Sequence, residues 1–242
     1  MSDLLAPRFD GQRVVVTGVG RAGQVGESVA RDFAQRGASV AIIDMNGALA
    51  EERAVALRAD GLNVTAFSGD LNDDDATTEL FRQIAATADG KIHALANVAG
   101  GFAASGPLGE SDPAVFQRQL MINLGSAYGA TRAAIPFLRA ARGAVVFMAS
   151  AAVLPGGSSA GISAYAAAKA GVIAIMHAVA QEEAGNGVRA NALAPTSIRT
   201  TANTEAMGDG VKYVARETVA AMIAFLCSPA AGNITGQVIS LA

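Results

Sequence analysis

The chain has 242 residues, a formal net charge of −3 and 51% apolar residues, with 5% aromatics and no tryptophan. That length suffices for a large buried core, which Ala, Val, Ile and Leu must fill, as in a parallel sheet covered by helices. The mild charge without a basic run argues against a nucleic-acid partner, and the single cysteine, Cys227, excludes an internal disulfide and fits a reducing cytoplasm.

The opening MSDLLAPRFDG lacks the basic start and apolar core of a secretory signal. Short apolar runs then alternate with helical patterns. Strands are expected at 13–16, 39–43, 62–67, 92–96, 144–149, 188–193 and 237–241. Val25, Val29 and Phe33 recur every fourth residue on one helix face, and Gly37 is suited to close that helix. The alternation implies an α/β fold: a doubly wound, seven-stranded parallel sheet with right-handed crossovers and helices on both faces. No linker, repeat or composition break divides the chain, so residues 1–242 are expected to form one domain.

The charge-free stretch 143–168 is not expected to span a membrane, because Pro155, Gly156 and Gly157 interrupt it. Cys227 ends an apolar helical run, where a small buried thiol is expected rather than a nucleophile. His93 and His177 stand in no metal-ligand spacing; His93 is expected inside a strand, and no metal is expected.

The first strand runs into TGVGRAGQVGESVA, with glycines at 18, 20, 23 and 26. Such a turn lets backbone approach a pyrophosphate and presents the N–H groups of the next helix, here entered through Val25. Asp44 ends the second strand, where a carboxylate accepts from adenosine ribose hydroxyls and repels a 2′-phosphate, favouring NAD(H) over NADP(H). Arg21, within the turn, is the opposing signal. Asp70, followed by Leu71, is placed either to meet an adenine edge or to cap the helix beginning near Asp73.

With Tyr165-Ala-Ala-Ala-Lys169 the sequence resembles the classical short-chain dehydrogenase/reductases, and the likeness covers nearly the whole chain. Residues 17–26 resemble the family's Rossmann-type glycine turn, Asn97-Val98-Ala99-Gly100 its Asn-Asn-Ala-Gly turn, and Asn123 its helix asparagine. Ser150 matches the catalytic serine, and the stretch with Pro195 and Ile198 resembles the cofactor-side turn after the sixth strand. Four departures stand out. The glycine turn is two residues longer than usual, and Val98 replaces an asparagine. The Ser150–Tyr165 loop is also two residues longer, which leaves Ser158, Ser159 and Ser163 as rival serines. Thr196 replaces a glycine.

Positions four apart on a helix share a face, so Tyr165 and Lys169 can meet. A nearby ammonium and the positive ring of an oxidised nicotinamide both favour phenolate, so the Tyr165 pKa is expected to fall. Tyr165 would then exchange a proton with a carbonyl or alcohol oxygen that Ser150 also holds. The resemblance implies that Asn123 holds a water linking Lys169 to solvent.

The helix from Tyr165 to Glu183 is apolar almost all round and 115–138 is poor in charge, so a homo-oligomer, dimer or tetramer, pairing these helices is expected. Pocket loops are expected at 100–112, 151–162 and 196–213; they are small and mostly uncharged, and suit a modest neutral carbonyl or secondary alcohol. An acyl thioester reductase and a silent redox-sensing module are the alternatives. Enoyl reductases resembling this family usually space tyrosine and lysine further apart, and an epimerase would normally carry a C-terminal substrate domain.

Overall fold

The computed structural model describes residues 7–242; the first six residues, part of the stretch read for a signal, lie outside them. In chain order the first half comprises β1 (Arg13–Thr17), α1 (Val25–Gln35), β2 (Ser39–Asp44), α2 (Gly47–Ala59), β3 (Val64–Ser68), α3 (Asp74–Ala86), β4 (Ala94–Asn97) and α4 (Pro113–Gln119). A π-helical stretch, Leu120–Gly125, leads into α5 (Ser126–Ala141), followed by β5 (Ala144–Met148), α6 (Ser163–Glu182) and β6 (Arg189–Pro195). The chain continues through β7 (Ile198–Arg199), α7 (Thr201–Met207), β8 (Val214–Ala215), α8 (Arg216–Cys227) and β9 (Val238–Leu241).

Local chemistry explains the punctuation. At the end of α1, Gly37 takes φ +95, and the Ala38 and Gly37 amides return to the carbonyls of Phe33 and Ala34 at 3.1 and 3.0 Å. The Asn46 side chain accepts from the Leu49 amide to start α2, and Asp73 accepts from the Ala76 amide to start α3. The second bond assigns the α3 cap to Asp73 and leaves Asp70 free of that task.

The seven long strands are all parallel, in the order β3-β2-β1-β4-β5-β6-β9. Alternation along each strand feeds two cores. Val14, Val16, Val40 and Ile42 pack with Val29, Phe33 and Ile223 of α1 and α8 on one face. Val15, Ile43, Leu95 and Phe147 pack with Phe81, Ile84 and Met176 of α3 and α6 on the other. Each fully buried Phe or Ile contributes about 2–3 kcal/mol. This is the doubly wound sheet the alternation implied. Its order reverses between β1 and β4, so the crevice at their carboxyl ends is where such a sheet binds ligands.

Two local expectations are corrected, and one feature was not anticipated. β4 begins at Ala94, and His93 lies outside it: the imidazole Nδ1 accepts the Arg13 amide at 3.1 Å, a bond a strand carbonyl would otherwise make. Burial pushes the His93 pKa down, which suits that acceptor role. Residues 196–213 are no plain loop, since they contain β7 and α7, and β7 pairs with β8 just beyond them. Between α4 and α5 the chain widens into one π-helical turn. By length and composition α6 is apolar enough to cross a bilayer, but Val172, Met176 and Val179 are buried against the sheet as in a core helix. Cys227 is buried and its thiol pushed up to about 12 by desolvation, as expected of an inert packing cysteine.

Candidate active site

Four strand ends build the site. At the end of β1, Thr17 is fully buried and its Oγ accepts the amides of Val98 and Ala99 at 3.1 and 3.0 Å. That hydroxyl fastens the turn after β4 to the glycine turn. Gly18 completes the junction at φ +75, with the Ala99 α-carbon 2.6 Å from where a β-carbon would stand. Gly26 packs so tightly on the Gly18 carbonyl that a methyl there would lie 2.3 Å from it. At the end of β2, the Asp44 carboxylate stands against Gly20, 2.8 Å from a β-carbon built there, and accepts the Asn46 amide at 3.0 Å. The carboxylate, the turn and the α1 N-terminus are therefore contiguous.

From Ala99 the same turn runs on toward the phenol. A methyl on Gly100 would lie 2.5 Å from Asn123 Oδ1 and 3.6 Å from Lys169 Nζ. Two residues further, the exposed Phe102 ring sits edge-on to Tyr165, with centroids 5.2 Å apart. Lys169, one helical turn beyond Tyr165, places Nζ 5.7 Å from the phenol's ring centre and donates to the Met148 carbonyl at the end of β5 at 2.7 Å. The residue is 6% exposed, and burial lowers its pKa from 10.5 to about 8. Ser150, two residues past β5, lies near enough to the Tyr165 phenol to favour phenolate, and its Oγ accepts the Ala152 amide at 3.3 Å.

Tyr165 itself departs from expectation. Burial pushes its pKa up, and the nearby Ser150 hydroxyl opposes that rise without reversing it. The Lys169 ammonium lies over the ring face and bonds a backbone carbonyl, so it does not lower the phenol in this state of the protein. Among the rival serines, Ser163 faces Ser105 at 3.3 Å and Ser158 accepts the Ala160 amide, while Ser158 and Ser159 are exposed. Ser150 is the one that meets the phenol.

A family model described as Enoyl-(Acyl carrier protein) reductase matches residues 18–241. The chain belongs to the short-chain dehydrogenase/reductase family. It is 38% identical, over 80% of its length and 75% of the relative's, to a 2-dehydro-3-deoxy-L-rhamnonate dehydrogenase (NAD(+)) of a Sphingomonas strain. A D-threitol dehydrogenase of Mycolicibacterium smegmatis is 32% identical over 95% of this chain and 90% of its own. A solved short chain dehydrogenase from Mycobacterium smegmatis superposes with a TM-score of 0.83 at 32% identity, covering 97% of this chain and 92% of that one.

The remaining candidates of this dehydrogenase/reductase divide by where their side chains go. Asn123 is buried in the π-helical turn; its amide brackets Gly101, with Nδ2 donating to the carbonyl at 2.9 Å and Oδ1 accepting the amide at 3.2 Å. It also donates to the Gln119 carbonyl, so the side chain is committed to shaping the turn that carries Gly100. Asn97 points to the α5 side, donating to Thr131 at 2.8 Å, and Leu71 packs into the core on that face. Asp70 accepts from the Asn72 amide at 3.0 Å, and Arg21 is exposed. Pro195 ends β6, the Thr196 amide bonds the Leu241 carbonyl at 2.9 Å, and Ile198 lies in β7 against the α1-side core.

Sequence reasoning missed three residues. Thr17 was readable as a hydroxyl directly before the glycine turn. Phe102 was readable as the only aromatic between Gly100 and Asp112. Glu27 gave a weaker signal, an acid in the first turn of α1. Its carboxylate accepts the Gly23 amide at 2.6 Å and the Arg53 guanidinium at 3.2 Å, bracing the lengthened turn.

Proposed function

We propose that this protein is an NAD(H)-dependent oxidoreductase acting on a ketone or secondary alcohol, with Tyr165, Ser150, Lys169 and Asn123 as its working residues. The observation that carries the reading is the short path Gly18–Ala99–Gly100–Phe102. It connects a dinucleotide turn to the Tyr165 phenol without leaving one crevice.

The residues fit a dinucleotide. Gly18 and Gly26 stand where a side chain would collide with backbone, and Asp44 sits at the strand tip where ribose hydroxyls would be met. The buried Lys169 ammonium has three donors and one hydrogen bond, leaving donors for a ribose. When bound, the nicotinamide supplies the hydride acceptor or donor. Asp44 favours NAD(H) over NADP(H) by like-charge repulsion of a 2′-phosphate.

Tyr165 Oη donates a proton to the carbonyl oxygen in reduction and accepts one from the alcohol in oxidation. Ser150 Oγ donates to the same oxygen as charge grows on it. Lys169 holds positive charge beneath the phenol, and Asn123 fixes the turn that frames it. Phe102 and the segment 196–213 would border the substrate. Relatives named for a rhamnonate derivative and threitol support a small oxygenated substrate. Residues 7–242 would act as one catalytic unit in the cytoplasm, paired into a homo-oligomer through α5 and α6.

A panel of ketones and secondary alcohols, run with NADH or NAD and with NADPH or NADP side by side, tests this. Turnover of a small carbonyl with NADH, and weaker turnover with NADPH, is expected. Tight cofactor binding with no turnover across the panel would favour a redox-sensing module instead.

A further inference from the structure

A groove of about 470 Å3 flanks the glycine turn and has no part in the chemistry above. It is lined by Arg199, Arg216 and the threonines 200, 201 and 204, with Glu205 and Asp209 also on its walls. Its two arginines differ. Arg199 is engaged, 3.2 Å from Asp209 and with its guanidinium 4.9 Å from the Tyr213 ring centre. Among the described residues, Arg216 has one ion pair, a 3.8 Å approach to a Glu217 side chain that is 72% exposed. A contact that long and wet neutralises little charge.

Arg216 is also the arginine beside the lengthened turn. A methyl on Gly23 would lie 2.2 Å from Thr201 Oγ1 and 3.5 Å from Arg216 Nη1, and the Thr201 amide donates to the Gly23 carbonyl at 3.2 Å. The tip of the turn therefore docks on α7 with the guanidinium at its flank. The turn has meanwhile lost a donor. The Gly23 amide, of the kind a glycine turn offers to phosphate, is taken by Glu27, whose carboxylate adds negative charge nearby. Arg53 balances that carboxylate, but its Nη atoms are occupied by Glu27 and Glu52.

We propose that Arg216 is a cofactor-binding residue whose guanidinium holds the pyrophosphate of the dinucleotide, replacing the donor that Glu27 takes from the glycine turn. The inference rests on the dinucleotide reading above. A planar guanidinium presents paired N–H donors to phosphate oxygens, and its half-buried position strengthens the contact over one in open water.

Calorimetric titration of wild type, Arg216→Gln and Arg216→Lys with NADH, ADP-ribose and adenosine tests it without any turnover. The glutamine variant is expected to bind NADH and ADP-ribose about tenfold more weakly. Adenosine, which carries no phosphate, should bind all three proteins equally. The lysine variant should fall between, and the gap should narrow as salt rises. Equal affinity of wild type and Arg216→Gln for ADP-ribose overturns the proposal, as does an equal loss for adenosine, which would mark a general defect of the site. Failure of wild type to bind NADH or ADP-ribose is a different result: it overturns the dinucleotide reading itself.

Discussion

Lys169 is a charged group that folding removes almost wholly from water, with one hydrogen bond in return. Burial lowers its pKa from 10.5 to about 8, so the folded chain holds its proton less tightly than the unfolded chain. The sign follows. Below about pH 8 the buried ammonium is a full cost, and between about 8 and 10.5 that cost disappears as the unfolded state alone remains protonated. That lowering corresponds to roughly 3 kcal/mol at most. Lys169→Met should therefore raise the melting temperature of the cofactor-free protein at pH 7, by a gain that shrinks as pH rises through that window, while turnover is lost. Thermal melts of both proteins across pH 7–10.5 check this; a variant that melts lower than wild type at pH 7 would contradict it. Tyr165 and Lys169 were legible in the sequence because helical spacing alone fixes their mutual position. The direction of the Tyr165 shift was not, because it depends on how deeply the phenol is buried and on which way the Lys169 side chain turns.

Among the elements, the glycine turn separates stability from binding. Gly18→Ala forces a side chain into a positive-φ position and onto the Ala99 backbone, which cannot move without shifting β4. A loss of about 2 kcal/mol or more is expected, read as a melting temperature lower by about 5 °C or more. Gly20→Ala meets only the Asp44 carboxylate, the far end of a side chain, at an ordinary φ. It should leave the melting temperature near wild type and weaken NADH binding by displacing Asp44, as fluorescence titration would report. Equal effects of the two substitutions on both readouts would contradict this division. The seven strands and the Gly37 helix end were legible because short apolar runs between helical patterns, and a glycine stop, are local signals. The π-helical turn at 120–125 and α7 were not. The first is set by how Asn123 grips Gly101 across the fold, and the second by the docking of Thr201 on Gly23.

For the molecule as a whole, the sheet order places the end of β1 beside the end of β4, and that adjacency makes one crevice of the glycine turn and the phenol. Apolar surface remains outside it. Tyr128 on α5 is 53% exposed, and Ile173 and Ile175 on α6 are half-buried. Light scattering should accordingly report a dimer or tetramer, and Tyr128→Glu should shift it toward monomer; a wild-type monomer at micromolar concentration would contradict the pairing of these helices. The central claim is that the Tyr165 oxygen exchanges the reaction's proton. The most direct measurement is the steady-state rate of Tyr165→Phe on the best carbonyl substrate, alongside its affinity for NADH. The account predicts a rate about a thousandfold lower with cofactor affinity close to that of wild type. A variant that turns over at the wild-type rate would contradict it.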